Sequence, residues 1–188
     1  MSTIKVDTIK DETGAKTLVE QSGSNFAWGA GVPAGTVLQQ VYVETTALVD
    51  CNVQIDHNDT IPQKTEGVEI FTLAITPKKS DSYLMIEVLA LGSASVASRW
   101  IILSLFKDSE ADATAATSTW IDSVHKTHNF GFRKRVTAGT AGVAETWKLR
   151  GGPNDNASST RLYINGPGGG RVFGGAACTS MTITEIKA

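Results

Sequence analysis

Tyr83-Leu84-Met85-Ile86-Glu87-Val88-Leu89-Ala90-Leu91 and, a little downstream, Trp100-Ile101-Ile102-Leu103-Ser104-Leu105-Phe106 decide the fold. Both are near-continuous apolar runs, and neither is long enough to span a bilayer. Runs of this length read as central strands covered on both faces. The polar stretch Thr76-Pro77-Lys78-Lys79-Ser80-Asp81-Ser82, with its early proline, is the turn that feeds the first.

Outward from these two runs the pattern stays β. Thr36 to Glu44 reads as a strand with Val37, Val41 and Val43 on one face. Leu48 to Asp56 alternates, with Val49, Cys51, Val53 and Ile55 inward, and Val68 to Ile75 places Phe71, Leu73 and Ile75 together. Ser109 to Thr119, rich in Ala, Thr and Asp, reads as a surface loop, with a short helix as the second option. Further strands are expected at His128 to Val136, Val143 to Leu149, Thr160 to Ile164 and Ser180 to Ile186. Ala138 to Gly142, Gly151 to Ser159 and Gly166 to Gly170 separate them with turn-forming residues.

Eight or more short strands with Gly, Pro and polar turns predict a sandwich or barrel. The predicted fold class is therefore all-β, an antiparallel jelly-roll sandwich over 35–188. Its exposed edges would need protection, and symmetric association is one way to give it. Trp100 and Trp147 fit either the core or an interface between subunits.

Residues 1–34 differ. Thr3-Ile4-Lys5-Val6-Asp7-Thr8-Ile9 alternates, Asp11 to Gly14 reads as a turn, and Ala15 to Glu20 as a second strand. An isolated hairpin is marginal in water, so this one is expected to gain order by docking. It reads as an attachment or intertwining arm, with Ile4, Val6, Ile9, Leu18, Phe26 and Trp28 as the docking residues.

Composition narrows the function. The 188 residues carry a net charge of -2, which provides no basic field for nucleic acid or an anionic membrane. The start of the chain lacks the basic-then-apolar pattern of a secretion signal, which predicts assembly in the cytoplasm. Cys51 and Cys178 belong to no metal or redox motif and read as two reduced thiols.

Motifs for chemistry are thin. Asp122-Ser123-Val124-His125 contains triad residue types, but as a strand it could not converge them, and no Gly-x-Ser-x-Gly elbow exists. His125 and His128 on a strand would point to opposite faces. Asp56-His57-Asn58-Asp59 and Asp155-Asn156 read as turns, since neither has the spacing of a calcium loop. Gly166-Pro167-Gly168-Gly169-Gly170-Arg171 lacks the Gly-Lys-Ser/Thr ending of a phosphate loop. Arg133-Lys134-Arg135 would alternate faces on a strand and reads as a solvated face. No catalytic residue, metal site or cofactor is predicted, and the chain is expected not to be an enzyme.

Thr3 to Ile9 followed by Thr13-Gly14, Gly35-Thr36-Val37-Leu38-Gln39, Thr76-Pro77-Lys78 with Tyr83-Leu84-Met85-Ile86, and Ser180 to Ile186 together resemble tail-fibre-like virion proteins of marine and cyanobacterial bacteriophages. The region His128 to Arg135 departs from that family, which often has an Asp-Ser-Pro segment there. The resemblance implies a jelly roll like that of tumour necrosis factor and the complement globular heads, assembled as a homotrimer. It implies a structural protein of the virion, assembled in the host cytoplasm. The expected partners are sister chains, other tail or capsid proteins, and a host surface glycan or protein, with no nucleic acid and no membrane insertion.

Three functions follow for testing. The first is a tail fibre or receptor-binding protein docked by its arm, with loops at Ser109 to Thr119, Gly151 to Ser159 and Gly166 to Gly170 facing the host. Trp120, Asn154, Asn156 and Arg171 are its candidate ligand-facing residues. The second is a capsid decoration or head-fibre protein that stabilises the shell. The third is a carbohydrate-binding or carbohydrate-cleaving module, for which Asp108 and Glu110 would be the candidate acids.

Overall fold

Among the described residues the chain runs through thirteen strands and one short 3-10 turn. The computed structural model describes residues 8–10, 13–14, 16–22, 25–29, 31–155 and 159–188, and only the backbone of 20–22 and 25–27.

The strands are β1 Thr8–Lys10, β2 Thr17–Ser22, β3 Asn25–Trp28, β4 Val37–Thr45, β5 Val49–Cys51, β6 Val68–Ile75 and β7 Ser82–Ala94. They continue as β8 Arg99–Lys107, β9 Ala115–Ile121, β10 His128–Thr137, β11 Glu145–Pro153, β12 Leu162–Ile164 and β13 Thr179–Lys187.

Long β7 organises one layer. One of its edges pairs with β10 along Tyr83 to Gly92. Its other edge pairs first with β13, over Ser82 to Leu89, and then with β12, over Gly92 to Ala94. β4 lies outside β13 and β5 outside β12. Thus β4 with β5, and β12 with β13, are two interrupted strands of one sheet. The second layer has the order β6-β11-β8-β9, all antiparallel. Counting the interrupted strands as single, the two layers contain the first, eighth, third and sixth strands and the second, seventh, fourth and fifth. That interleaving is the antiparallel jelly-roll sandwich that the patterning predicts.

The core lies between the layers. Leu84, Ile86, Val88 and Ala90 of β7 face Ile101, Leu103 and Leu105 of β8, with Trp147, Leu149, Met181 and Ile183 completing it. Alternate residues of each strand supply it, as strand geometry requires. Trp147 is therefore a core residue, and Trp100 lies on the outer face of its sheet.

Several expectations change. β9 is a strand over Ala115–Ile121, where a loop was expected. Its register on β8 aims Ala115, Thr117 and Thr119 at the core side and Ala116, Ser118 and Trp120 outward. Small residues make this alternation almost silent in sequence. Val37 is exposed, because a register shift between Glu185 and Ile186 turns Leu38 inward instead. The expected strand Leu48 to Asp56 ends at Cys51. Beyond it the chain leaves its sheet and crosses to the outside of the other, where the Ile55 amide donates to the Pro153 carbonyl at 2.9 Å. Ile55 is buried there, whereas Val53 is exposed.

This strap, residues 52–67, explains why β8 is covered twice. Ile102, Ser104 and Phe106 face away from the main core, yet all three are buried. Arg150 fastens the strap by donating Nε to the Glu66 carbonyl at 2.8 Å and Nη2 to the Gly67 carbonyl at 2.7 Å. Gly152 is its seat, because a Cβ there would lie 2.2 Å from the Val53 carbonyl oxygen. β7 differs: its outer face is uncovered at Leu89, which is 59% exposed. The reading of both apolar runs as doubly covered thus holds for β8 and fails for β7.

The N-terminal strands form a sheet of their own, ordered β1-β2-β3, a hairpin with a third strand added. The predicted strand over Thr3 to Ile9 falls largely outside the described residues.

Candidate functional site

The register fixes which features share an end of the sandwich. β4 begins, β13 finishes, β7 begins, β8 finishes and β11 begins at one end. The arm enters here: the Gly35 amide donates to the Lys187 carbonyl and the Lys187 amide to that of Thr36. The turn 108–114 lies at this same end, so half of one expected display loop faces the arm side. The opposite end holds the start of β8 and the ends of β9 and β11. With 13 residues in β7 and a rise of about 3.3 Å each, the two ends stand roughly 40 Å apart.

The arm end is closed by two buried carboxylates. Glu185 accepts from the Lys78 and Lys79 amides, Ser82 Oγ and Gln39 Nε2. Glu145 meets Lys107 Nζ at 2.6 Å, and its carboxylate holds the Lys107 ammonium pKa above its ordinary value. Trp28 anchors the arm, its Nε1 donating to the Leu38 carbonyl at 2.9 Å. Leu18 is half-buried and Ile9 exposed, whereas Ile4 and Val6 lie outside the described residues, and of Phe26 only the backbone is described.

The far end gathers aromatic rings. Trp100 and Trp120 face each other across β8 and β9, with centroids 5.3 Å apart and planes at 65°. His57 of the strap stacks on Trp100 at 4.4 Å and 6°, and its Nε2 lies 3.1 Å from Ser118 Oγ. Asn154 Oδ1 accepts from the Trp100 amide at 3.0 Å, and Arg99 Nε meets Asp155 at 2.6 Å. Two of the residues expected to face a ligand, Trp120 and Asn154, therefore flank Trp100 from opposite edges of β8. Asn156 lies outside the described residues. Arg171 sits apart on the excursion 165–178 between β12 and β13, which also exposes Phe173 at φ 53°. His57 and Trp100 escaped the sequence reading as site residues, because the strap that joins them leaves no periodic signal.

The third feature is the outer face of β10, β7, β13 and β4. Tyr83, Met85, Glu87, Leu89 and Leu91 of β7 point outward there, beside Arg133 and Arg135 of β10. Leu89 and Tyr42 are both more than half exposed. Cys178 and Gly131 line a shallow groove with Leu89. Arg133 pairs with Glu87 at 3.1 Å, and the Arg135 guanidinium lies 3.9 Å over the Tyr83 ring.

The triad-like residues do not converge. Ser123 and His125 lie in a turn after β9 rather than on a strand, and Asp122 is held by Lys126 at 3.2 Å, which lowers its pKa. His128 lies on β10. Among the described residues no group of three His, Cys, Asp or Glu side chains could hold a metal ion. Asn58 Oδ1 accepts from the Thr60 amide, the turn role expected of that segment. Both cysteines are free thiols, Cys51 buried and Cys178 exposed.

No family model and no curated protein matches the chain. Solved structures do. The tumour necrosis factor Eiger of S. frugiperda is 11% identical, with a TM-score of 0.43 over 79% of this chain and 92% of that one. The VP2 subviral particle of infectious bursal disease virus is 11% identical, with a TM-score of 0.39 over 92% of this chain. The Gx strain of that virus is 10% identical, with a TM-score of 0.39 over 89% of this chain. The chain spans less than half the length of these viral chains.

Proposed function

We propose that this chain is a non-enzymatic structural protein of a bacteriophage particle, of the tail-fibre or receptor-binding type. Residues 1–34 dock it and 35–188 form a homotrimeric head. The observation that carries this reading is polarity along the sandwich. The arm enters at one end, an uncovered sheet face of mixed character, with Leu89 and Tyr42 exposed, runs along the side, and the aromatic corner sits at the far end. A face with Leu89, Tyr42, Met85 and Leu91 outward is a natural surface for self-association. Three copies joined there would point their arms one way and their far ends the other, and would multiply a weak contact.

Capsid decoration is the competing role for the same trimer. The chain's copy number in purified particles separates them: a low number relative to the major capsid protein supports a fibre, and one matching the shell lattice supports decoration. Absence from particles overturns both.

A further inference from the structure

We propose that the corner formed by His57, Trp100 and Trp120 is a binding site for a neutral saccharide. The inference rests on the display reading and deepens it by naming the ligand class.

A pyranose ring has one polarised C–H face and a rim of hydroxyls. The C–H face packs on the electron-rich face of an aromatic ring, and the rim needs planar donors and acceptors at its edge. The corner offers both. Trp120 is 44% exposed although it sits on a strand, and its neighbour across the pair is another tryptophan. His57 lies flat on Trp100, held by Ser118, so the exposed imidazole face and the Trp120 ring make two walls of a fixed angle. Three elements supply the rings, so their positions are set by the fold: the strap for His57, β8 for Trp100 and β9 for Trp120. Preorganised aromatics lose little conformational entropy on binding.

At the edge stands Asn154. Its oxygen is committed to the Trp100 amide, and its amide nitrogen has no partner among the described residues. That leaves donors for a hydroxyl.

Charge selects the class. Arg99 and Asp155 neutralise each other at the rim, and Asp56 adds a negative charge next to His57. A sulfated, sialylated or uronic chain would meet no unpaired cation among the described residues there, and the same argument disfavours nucleic acid. A quaternary ammonium cage would need several open ring faces around one point. Here His57 covers the Trp100 face, which leaves two ring faces at an angle rather than a box.

The test uses the full chain with maltohexaose, cellohexaose, mannohexaose and galactohexaose as neutral probes, and sialyllactose and tetramethylammonium as controls. Binding is read by tryptophan fluorescence and ligand-observed magnetic resonance, with the mass followed in parallel by light scattering. At least one neutral hexaose is expected to bind in the ~mM range per site. Trp120→Ala should weaken it about tenfold with the mass unchanged, and Trp120→Phe should retain most of it. Binding of none of the four, equal binding by Trp120→Ala, or preference for sialyllactose or tetramethylammonium each overturns the saccharide site. A wild-type protein that binds no sugar but keeps its assembled mass defeats this inference alone, whereas a monomeric mass defeats the display reading.

Discussion

Glu185 and Ser82, 103 residues apart, meet inside the arm end of the sandwich, where Ser82 Oγ donates to Glu185 Oε1 at 2.7 Å. Both are buried. The same carboxylate accepts from two successive backbone amides of the Pro77 turn. It therefore ties the last strand, the first residue of β7 and the turn between layers into one unit. An acceptor-only group is what this position needs, because all of its neighbours donate.

Glu185→Gln places an amide where those donors converge. The variant should fold but lose about 1–3 kcal/mol, the cost of leaving buried donors unmatched. Urea denaturation measures it, and a loss below about 0.5 kcal/mol would remove the role assigned to the carboxylate.

Gly152→Ala should lift the strap, since the new methyl would press on the Val53 carbonyl. Overpacking of this kind costs about 1–3 kcal/mol. Because the strap stacks His57 on Trp100, the tryptophan emission of the folded variant should also shift. A stability change without a spectral change would separate the strap from the aromatic corner.

Burial pushes the Cys51 thiol up to about 12, so it should stay protonated and inert in the folded chain at neutral pH. In Cys178→Ser, a thiol reagent should find nothing until the protein unfolds, and then one group. Reaction before unfolding would show that the β5 edge opens locally.

Lys107 supplies a pH dependence. Its folded pKa stands above the ordinary value near 10.5 because Glu145 accepts from its ammonium. A raised folded pKa means that the contribution is fully present below the unfolded pKa and fades as pH rises through the folded one. Stability should therefore fall on the alkaline side of about pH 10.5, and Lys107→Met should flatten that slope, as read from urea midpoints across the range.

The legible part of the fold is the part with strong alternation. β6 announced itself through Phe71 and Leu73, β10 was expected over His128 to Val136, and β8 showed through its near-continuous apolar run. β9 did not, because Ala115, Thr117 and Thr119 bury little area and resemble a loop composition. β5 was overextended, since Val53 keeps the alternating pattern after the chain has left its sheet. Glu87 interrupts the β7 run and marks its open outer face, yet only the register on β10 and β13 shows that Leu89 shares it. At the far end Trp120 and Asn154 stood out as a large aromatic and a polar residue near turns. Their placement on either side of Trp100 depends on β8 pairing in register with both β9 and β11, and the site also needs the strap to lay His57 over Trp100, which joins distant segments.

The sharpest test of the account is the solution mass of the full chain, measured by light scattering beside Leu89→Arg. The proposed trimer, joined through the uncovered face of β7, predicts a wild-type particle of three times the 19.9 kDa chain mass, and a folded Leu89→Arg chain of a single mass. A wild-type protein that is monomeric, folded and indistinguishable from Leu89→Arg would contradict it.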